Sequence, residues 1–118
     1  REYYKKTRIH PIMHLVAIRK DVYDKNLWIA NSLYKAFDQA KNWAVEQMRF
    51  SGAQRLMLPW LFADIDEIDE VFGGDPWPYG IDANRPTLEA LVTYMHEQHF
   101  IPRRLTLEEL FLPVRVVR

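Results

Sequence analysis

The sequence has 118 residues and a mass of 14.1 kDa, which suits one domain with a modest core. Lysine and arginine number 16, and aspartate and glutamate also number 16, so no net charge draws the chain to nucleic acid or to an anionic membrane. The absence of cysteine excludes disulfide bonds and thiolate metal sites, and no apolar run approaches the roughly 18 residues of a membrane span. We therefore expect neither nucleic acid nor membrane as a partner.

The first part of the chain predicts an arm, a strand and a short helix. Residues 1–10 mix basic residues with tyrosines and have no clear period, so we predict an irregular arm. Residues 11–18, PIMHLVAI, are apolar on both faces apart from His14, which is typical of a strand covered on both sides within a sheet. Asp21 is a candidate N-cap for a short helix that follows.

The remaining sequence predicts helices, because apolar residues recur at spacings of three and four. Asn84 is a candidate cap for one of them, and Thr106 with Glu109 matches a capping box for the last. The predicted helices cover residues 28–50, 53–72 with a break or restart at Pro59, 84–99 and 107–111.

Several uncommon features, in order, resemble the 4,5-dihydroxyphthalate decarboxylase family. They are EYYKKTRIHPIMHLVAIR, MLPWLFADIDE and WPYGIDANRPTLEALVTYMHEQ. The resemblance covers about residues 2–111. It implies that residues 1–118 form a single region, the C-terminal segment of a larger two-lobe protein, with residues 112–118 unassigned. Two positions depart from the family pattern, since a glycine is expected where Arg8 stands and a proline where Leu27 stands.

The same resemblance implies a fold like that of type II periplasmic binding proteins, with two α/β lobes and a ligand cleft between them. The expected fold class is therefore α/β, as a mostly helical C-terminal fragment with one main strand and four to five helices. A lone strand leaves its backbone groups unpaired. We therefore expect an N-terminal lobe of the same protein, missing from this chain, to supply its neighbours, and a homo-oligomer is a second way to cover it.

The family resemblance also implies a reaction, the removal of carbon dioxide from an aromatic dicarboxylate such as 4,5-dihydroxyphthalate. Protonating the ring carbon first, with the para hydroxyl supplying electron density, avoids an aryl carbanion. This route needs an acid and needs cations for two carboxylates. His14 is the candidate catalytic acid, being the only titratable group inside the apolar segment; the alternative is a core histidine bonded to a backbone carbonyl.

Five further residues are candidates for binding the substrate. Arg8 and Arg85 suit carboxylates, although each is also a candidate surface charge or local ion-pair partner. His10 precedes the predicted strand and could reach a cleft. Trp77 and Tyr79 stand in a stiff proline-rich connector, where they face the cleft or serve as packing anchors. No cofactor motif or metal-ligand set is present, so we expect neither a cofactor nor a metal.

Two other functions stay open. A non-catalytic substrate-binding protein of a transporter for a small organic anion would share the lobes and the cleft, and a helical module that only holds partners would need neither. The enzyme is expected in the cytoplasm and the binding protein in the periplasm. For both the enzyme and the binding protein, the ligand is a small aromatic or organic acid. The isolated chain is expected to be inactive because half of the cleft would be absent.

Overall fold

The computed structural model describes residues 1–53 and 55–114. In this part of the chain there are six α-helices and no strand. The tail assigned to no element, 112–118, lies partly outside the described residues. The helices are α1 (Glu2–Thr7), α2 (Lys20–Lys25), α3 (Ile29–Arg49), α4 (Leu61–Phe72), α5 (Ile81–Glu97) and α6 (Leu107–Leu110).

The predicted strand over residues 11–18 is wrong, and the α/β fold class is wrong with it. Residues 8–19 contain neither helix nor strand. The side chains of Met13, Leu15 and Val16 are between 64% and 85% exposed. A strand requires a neighbour that pairs with its backbone N–H and C=O groups, and the described chain supplies none. The described fold is helical, with six helices in place of one strand and four to five helices.

The N-terminal arm is helical as well. The helix α1 ends at Arg8, whose backbone is left-handed (φ 58°, ψ 17°) and whose N–H donates to the Tyr4 carbonyl at 2.7 Å. The irregular arm predicted over residues 1–10 is therefore wrong for Glu2–Thr7. No apolar period is visible over these residues because α1 buries none of them.

Three other predicted helices are confirmed in whole or in part. The long helix α3 lies within the predicted range 28–50. The helix α4 begins two residues after the restart predicted at Pro59, and the helical stretch predicted before that restart is wrong, because the described residues 53 and 55–58 are not helical. In α6 the capping box is present, with the Glu109 N–H donating to Thr106 Oγ1 at 3.3 Å and the Thr106 N–H donating to Glu109 Oε2 at 2.8 Å. Asp21 lies in the first turn of α2 and not at its cap.

The helix α5 begins at Ile81, three residues before the predicted cap Asn84. Asn84 lies inside the helix, where its Nδ2 donates to the carbonyls of Pro78 and Gly80 at 2.6 and 2.9 Å. Asn84 therefore binds the incoming loop instead of capping the helix. The residue at the N-cap is Gly80, with φ 101°, a backbone conformation that favours glycine. The helix ends at Glu97.

Little apolar surface is buried in this fold. The accessible surface is 9680 Å², whereas a compact monomer of this mass exposes about 6,700 Å². The radius of gyration of 17.3 Å also exceeds the value of about 13.5 Å for a compact chain of this length. The buried apolar side chains in the described part are Ala30, Leu61, Ile65, Val71, Leu88, Val92 and Leu107, together with Pro76 in the loop before α5.

All four tryptophans remain largely in solvent. Their side chains are between 53% and 75% exposed, although tryptophan is highly buried on average in globular proteins. No helix in the two described ranges is long and apolar enough to cross a bilayer. The exposed tryptophans are Trp28 just before α3, Trp43 within α3, Trp60 before α4, and Trp77 between α4 and α5.

Ion pairs and hydrogen bonds join the helices where apolar packing is sparse. Arg49 at the end of α3 forms a bidentate pair with Asp69 of α4, with Nη1 to Oδ2 at 2.7 Å, and also donates to the Gly74 carbonyl. The hydrogen bond to Asp69 raises the pKa of Arg49. Arg1 pairs with Glu67 at 2.6 Å and so ties α1 to α4.

We expect the α6 capping box to fail in acid. The side-chain hydrogen bond from Arg103 and the backbone hydrogen bond from Thr106 lower the pKa of Glu109 from 4.5 to about 2. A depressed carboxyl pKa contributes stability that is present above 4.5 and is lost as the pH falls toward 2. The protection factors of the α6 amides, which compare each exchange rate with that of an unfolded peptide at the same pH, should fall across this window. Glu109→Gln should remove the pH dependence, and Glu108→Gln, which leaves the capping box intact, should keep it.

Candidate functional site

Two of the predicted binding residues meet at a corner between α1 and α4. The ring of Tyr4 lies 4.5 Å from that of Phe72, and the His10 ring lies 5.2 Å from Phe72 and 6.2 Å from Tyr4, edge-on to both. The guanidinium carbon of Arg8 lies 5.5 Å from the Tyr4 ring centre. We call these four residues the Arg8–His10 corner. It combines a cation and an imidazole on an aromatic base.

The charge of Arg8 has no carboxylate partner within residues 1–53 and 55–114. Arg1 and Arg49, by contrast, both pair with acidic side chains of α4. Contact with an aromatic face leaves the planar N–H donors of a guanidinium available for a bidentate carboxylate. Arg8 is therefore suited to bind an anionic ligand.

The backbone at Arg8 explains why a glycine is expected there. At φ 58° an L-residue carries a steric cost that glycine avoids, and glycine is the usual residue after a helix C-terminus. An arginine at this position therefore carries a local steric strain that a glycine would not. Strained non-glycine residues cluster at functional sites, where the side chain is needed.

His10 is held in place by its backbone as well as by its ring. Its N–H donates to Thr87 Oγ1 at 3.1 Å, a contact that joins the N-terminal arm to α5. Thr87 belongs to the NRPTLE stretch that carries part of the family resemblance. His10 itself remains exposed, so a ligand can reach its imidazole.

The connector, residues 73–80, is bound to α3 through Lys41. The Lys41 Nζ lies 2.6 Å from Asp75 Oδ2 and 3.2 Å from the Trp77 carbonyl, and it also lies 5.0 Å from the Tyr79 ring centre. Only 11% of the Lys41 side chain is exposed. Lys41 therefore fixes the loop that presents Trp77 and Tyr79, whose rings remain 53% and 42% exposed. The two rings are therefore partly packed against the protein and partly accessible to a ligand.

The first two turns of α5 bring the connector and the arm to one side of the helix. Asn84 binds the connector and Thr87 binds the His10 backbone. Three residues of α-helix span about 4.5 Å along the axis and turn about 60° from a common face. The corner and the connector are therefore attached at neighbouring points of α5.

Arg85 faces a different side of α5. It lies two residues from Thr87, which is about 160° around the helix. Its guanidinium pairs with Glu108 at 3.3 Å, Asp82 at 3.5 Å and Glu89 at 3.6 Å. Hydrogen bonding, to Glu108 above all, raises the pKa of Arg85. The structure does not bring Arg85 to the Arg8–His10 corner. Arg85 instead joins α5 to α6.

His14 lies in the exposed segment that connects α1 to α2. No hydrogen bond or ring contact in the described residues joins it to the Arg8–His10 corner. The buried strand that singled out His14 is absent, so its position differs from the one expected. Its assignment as the catalytic acid stays a prediction.

Sequence reasoning missed four residues that build the site: Tyr4, Phe72, Thr87 and Lys41. In the sequence, Tyr4 is one tyrosine of the N-terminal arm, and Phe72 is one of the apolar residues of a predicted helix. Lys41 carried a usable signal, because it interrupts an otherwise apolar face of α3 one heptad after Tyr34. In the part of the chain that the structure describes, no group of three His, Asp or Glu side chains is placed to hold a metal ion.

Comparison with known proteins gives one informative relative. No family model matches the chain. It is similar to a curated protein named 4,5-dihydroxyphthalate decarboxylase from Comamonas testosteroni, with 29% identity over 112 residues and 95% of this chain covered. The chain spans about a third (34%) of that relative's length. The chain is therefore a distant homologue of a protein named as a decarboxylase, which supports a decarboxylase-like relationship at family level.

We expect Arg8→Gly to stabilise the chain by about 1 kcal/mol, because glycine adopts the left-handed conformation without the steric cost of a Cβ atom. Urea unfolding followed by circular dichroism measures the change. Arg8→Ala is the matched control, since it removes the charge and keeps the strain. Equal stability of the two variants would contradict this account.

We expect Lys41→Met to release the connector. Loss of the Lys41 ammonium leaves Asp75 and the Trp77 carbonyl without their charged donor. This change should lower the free energy of unfolding by about 1–3 kcal/mol, and it should speed hydrogen exchange at the Trp77 amide. That amide donates to Asp75 Oδ1 at 3.0 Å. Lys35→Met, at an exposed position of the same helix, should change little. Unchanged exchange in Lys41→Met would show that Lys41 does not hold the loop.

Proposed function

We propose that this chain is part of a decarboxylase-like lyase that removes carbon dioxide from an aromatic dicarboxylate such as 4,5-dihydroxyphthalate. The observation that carries the proposal is the similarity to the named decarboxylase over 112 residues. The geometry of the Arg8–His10 corner supports it, because a cation that has no ion pair within the described residues stands beside an imidazole on an aromatic base.

In this proposal Arg8 binds a carboxylate of the substrate. A planar guanidinium can donate two parallel N–H bonds to one carboxylate and so fixes both its position and its orientation. The exposed rings of Trp77 and Tyr79 supply apolar surface for an aromatic ligand. Arg85 would have to exchange one of its three carboxylate partners to bind substrate, so we assign the first contact to Arg8.

His10 is the proposed proton donor, with His14 as the second candidate acid. The imidazolium gives its proton to the ring carbon that carries the departing carboxylate, while the para hydroxyl stabilises the cationic ring. The bond to the carboxylate then breaks, its electron pair returns to the ring, and carbon dioxide leaves. The sum is one proton and one carboxylate consumed, and one aryl C–H bond and one carbon dioxide formed.

An N-terminal lobe of the same protein would complete the cleft. The chain corresponds to about a third (34%) of its longer relative, and Arg8 and His10 are exposed to solvent. Closure of a second lobe would exclude water and strengthen the electrostatic contacts of Arg8 with a carboxylate. The enzyme form of this proposal fits a cytoplasmic protein, and the binding-protein form fits a periplasmic one.

The test measures carbon dioxide release from 4,5-dihydroxyphthalate by the longest polypeptide that the gene encodes. Chromatography of the monocarboxylate product gives an independent readout. Phthalate, which lacks both hydroxyls, is the substrate control: it should bind and stay intact, because no para oxygen stabilises the protonated ring. Binding of both compounds without release of carbon dioxide from either would overturn the lyase and favour the transporter binding protein.

Variants separate the proposed roles. Arg8→Asn keeps a residue that tolerates the left-handed conformation and should raise KM about 10- to 100-fold, the usual loss for a charge-assisted hydrogen bond. Arg55→Asn is the matched control, because Arg55 also lies over an aromatic ring, 5.9 Å from that of Trp43, without an ion pair in the described chain. His10→Gln should lower kcat. If His14→Gln lowers kcat and His10→Gln does not, the proton donor is His14.

A further inference from the structure

The backbone of the Arg8–His10 corner is anchored to two different helices. The Arg8 N–H donates to a carbonyl within α1 at 2.7 Å, and the Ile9 N–H donates to Oγ1 of Thr7, the last residue of α1, at 3.2 Å. The His10 N–H instead donates to Thr87 Oγ1 of α5 at 3.1 Å, across 77 positions of the chain. The cation of the corner is therefore placed by α1, and its imidazole by α5.

Thr87 lies on a firmly packed part of α5. The next residue, Leu88, is buried and belongs to an apolar cluster that also contains Leu107 of α6. The preceding residue, Pro86, has a ring that restricts its φ to about −65°. A side chain on a rigid helical segment holds its direction better than one on a loop. The Thr87 hydroxyl is therefore a well-placed acceptor for the backbone of the N-terminal arm.

The imidazole of His10 is held at its other end by aromatic rings. It lies edge-on to the rings of Tyr4 and Phe72, with interplanar angles of 85° and 76°. The two side-chain torsions of histidine are all that separates these ring contacts from the N–H that Thr87 binds. Water can replace the Thr87 hydroxyl as an acceptor, because this contact is exposed. Loss of the hydroxyl would therefore change the stability of the fold little, and it would leave the imidazole less closely placed.

We propose that Thr87 is a positioning residue for the proton transfer and acts through His10 without touching the substrate. This inference rests on the proposed function, in which the His10 imidazolium gives its proton to the ring carbon that carries the departing carboxylate. Proton transfer needs donor and acceptor atoms within about 2.6–3.2 Å, and a displacement of about 1 Å can lower a rate about a hundredfold. Thr87 therefore acts on kcat. Arg8, which is anchored within α1, acts on KM.

The test removes the Thr87 hydroxyl in the longest polypeptide that the gene encodes. Thr87→Val keeps the branched shape of the side chain and replaces the acceptor with a methyl group. It should lower kcat for carbon dioxide release from 4,5-dihydroxyphthalate about 10- to 100-fold. KM should stay within about threefold, because Arg8 keeps its own anchor. Thr87→Ser, which restores the acceptor, should recover most of kcat.

Thr93→Val is the matched control. Thr93 is also a half-buried threonine of α5, but its hydroxyl donates to the Glu89 carbonyl of the same helix at 2.8 Å. Removing this hydroxyl should leave kcat and KM within about twofold of the wild-type values. Circular dichroism checks that all three variants keep their helix content.

Hydrogen exchange at the His10 amide gives a readout that does not depend on catalysis. Mass spectrometry with fragmentation should show the protection factor of this amide falling about fivefold in Thr87→Val, the effect of one lost hydrogen bond. The protection factor should stay at the wild-type value in Thr87→Ser and Thr93→Val. Equal protection in wild type and Thr87→Val would overturn the inference whatever the activity.

The kinetic outcomes separate this inference from the proposed function. A wild-type protein that binds 4,5-dihydroxyphthalate and releases no carbon dioxide would overturn the lyase. An active wild type in which Thr87→Val keeps its kcat, or in which Thr87→Ser is as slow as Thr87→Val, would overturn the inference alone. A rise in KM with unchanged kcat would also overturn it, because Thr87 would then act on substrate binding.

Discussion

Two polar side chains in the first turns of α5 determine where the rest of the candidate site lies. Asn84 holds the carbonyls of Pro78 and Gly80, and Thr87 accepts the backbone N–H of His10. Apolar burial is too sparse in this chain to fix these segments by packing, so directional hydrogen bonds do so. The aromatic connector and the N-terminal arm come together because one helix binds both.

The Arg8–His10 corner shows how a helix end can present a charged side chain. The left-handed residue that terminates α1 turns the chain, so that His10 reaches the aromatic base formed by Tyr4 and Phe72. A glycine would make the same turn at lower steric cost and would carry no cation. An arginine at this left-handed position therefore places a cation, which can bind an anion, at the residue where the chain turns.

The sequence predicted α3 and α6 well, because their signals lie within a few neighbouring residues, and it missed α1, which buries none of its residues. The apolar period of α3 and the reciprocal bonds of Thr106 and Glu109 are contained within one helix each, and both predictions are confirmed. The strand over residues 11–18 is wrong because its formation depends on partners distant in sequence. The corner was predicted only as separate residues, since the ring of Phe72 meets His10 across 62 positions of chain, a pairing that no local period encodes.

The exposure of all four indole rings has a spectroscopic consequence. They stand on separate units, at the start and the middle of α3, before α4 and in the connector. Water relaxes around an excited indole, so an uncovered ring emits at long wavelength and is quenched readily by acrylamide. Chains that retain a single tryptophan would therefore report, one region at a time, which surface a binding molecule shields.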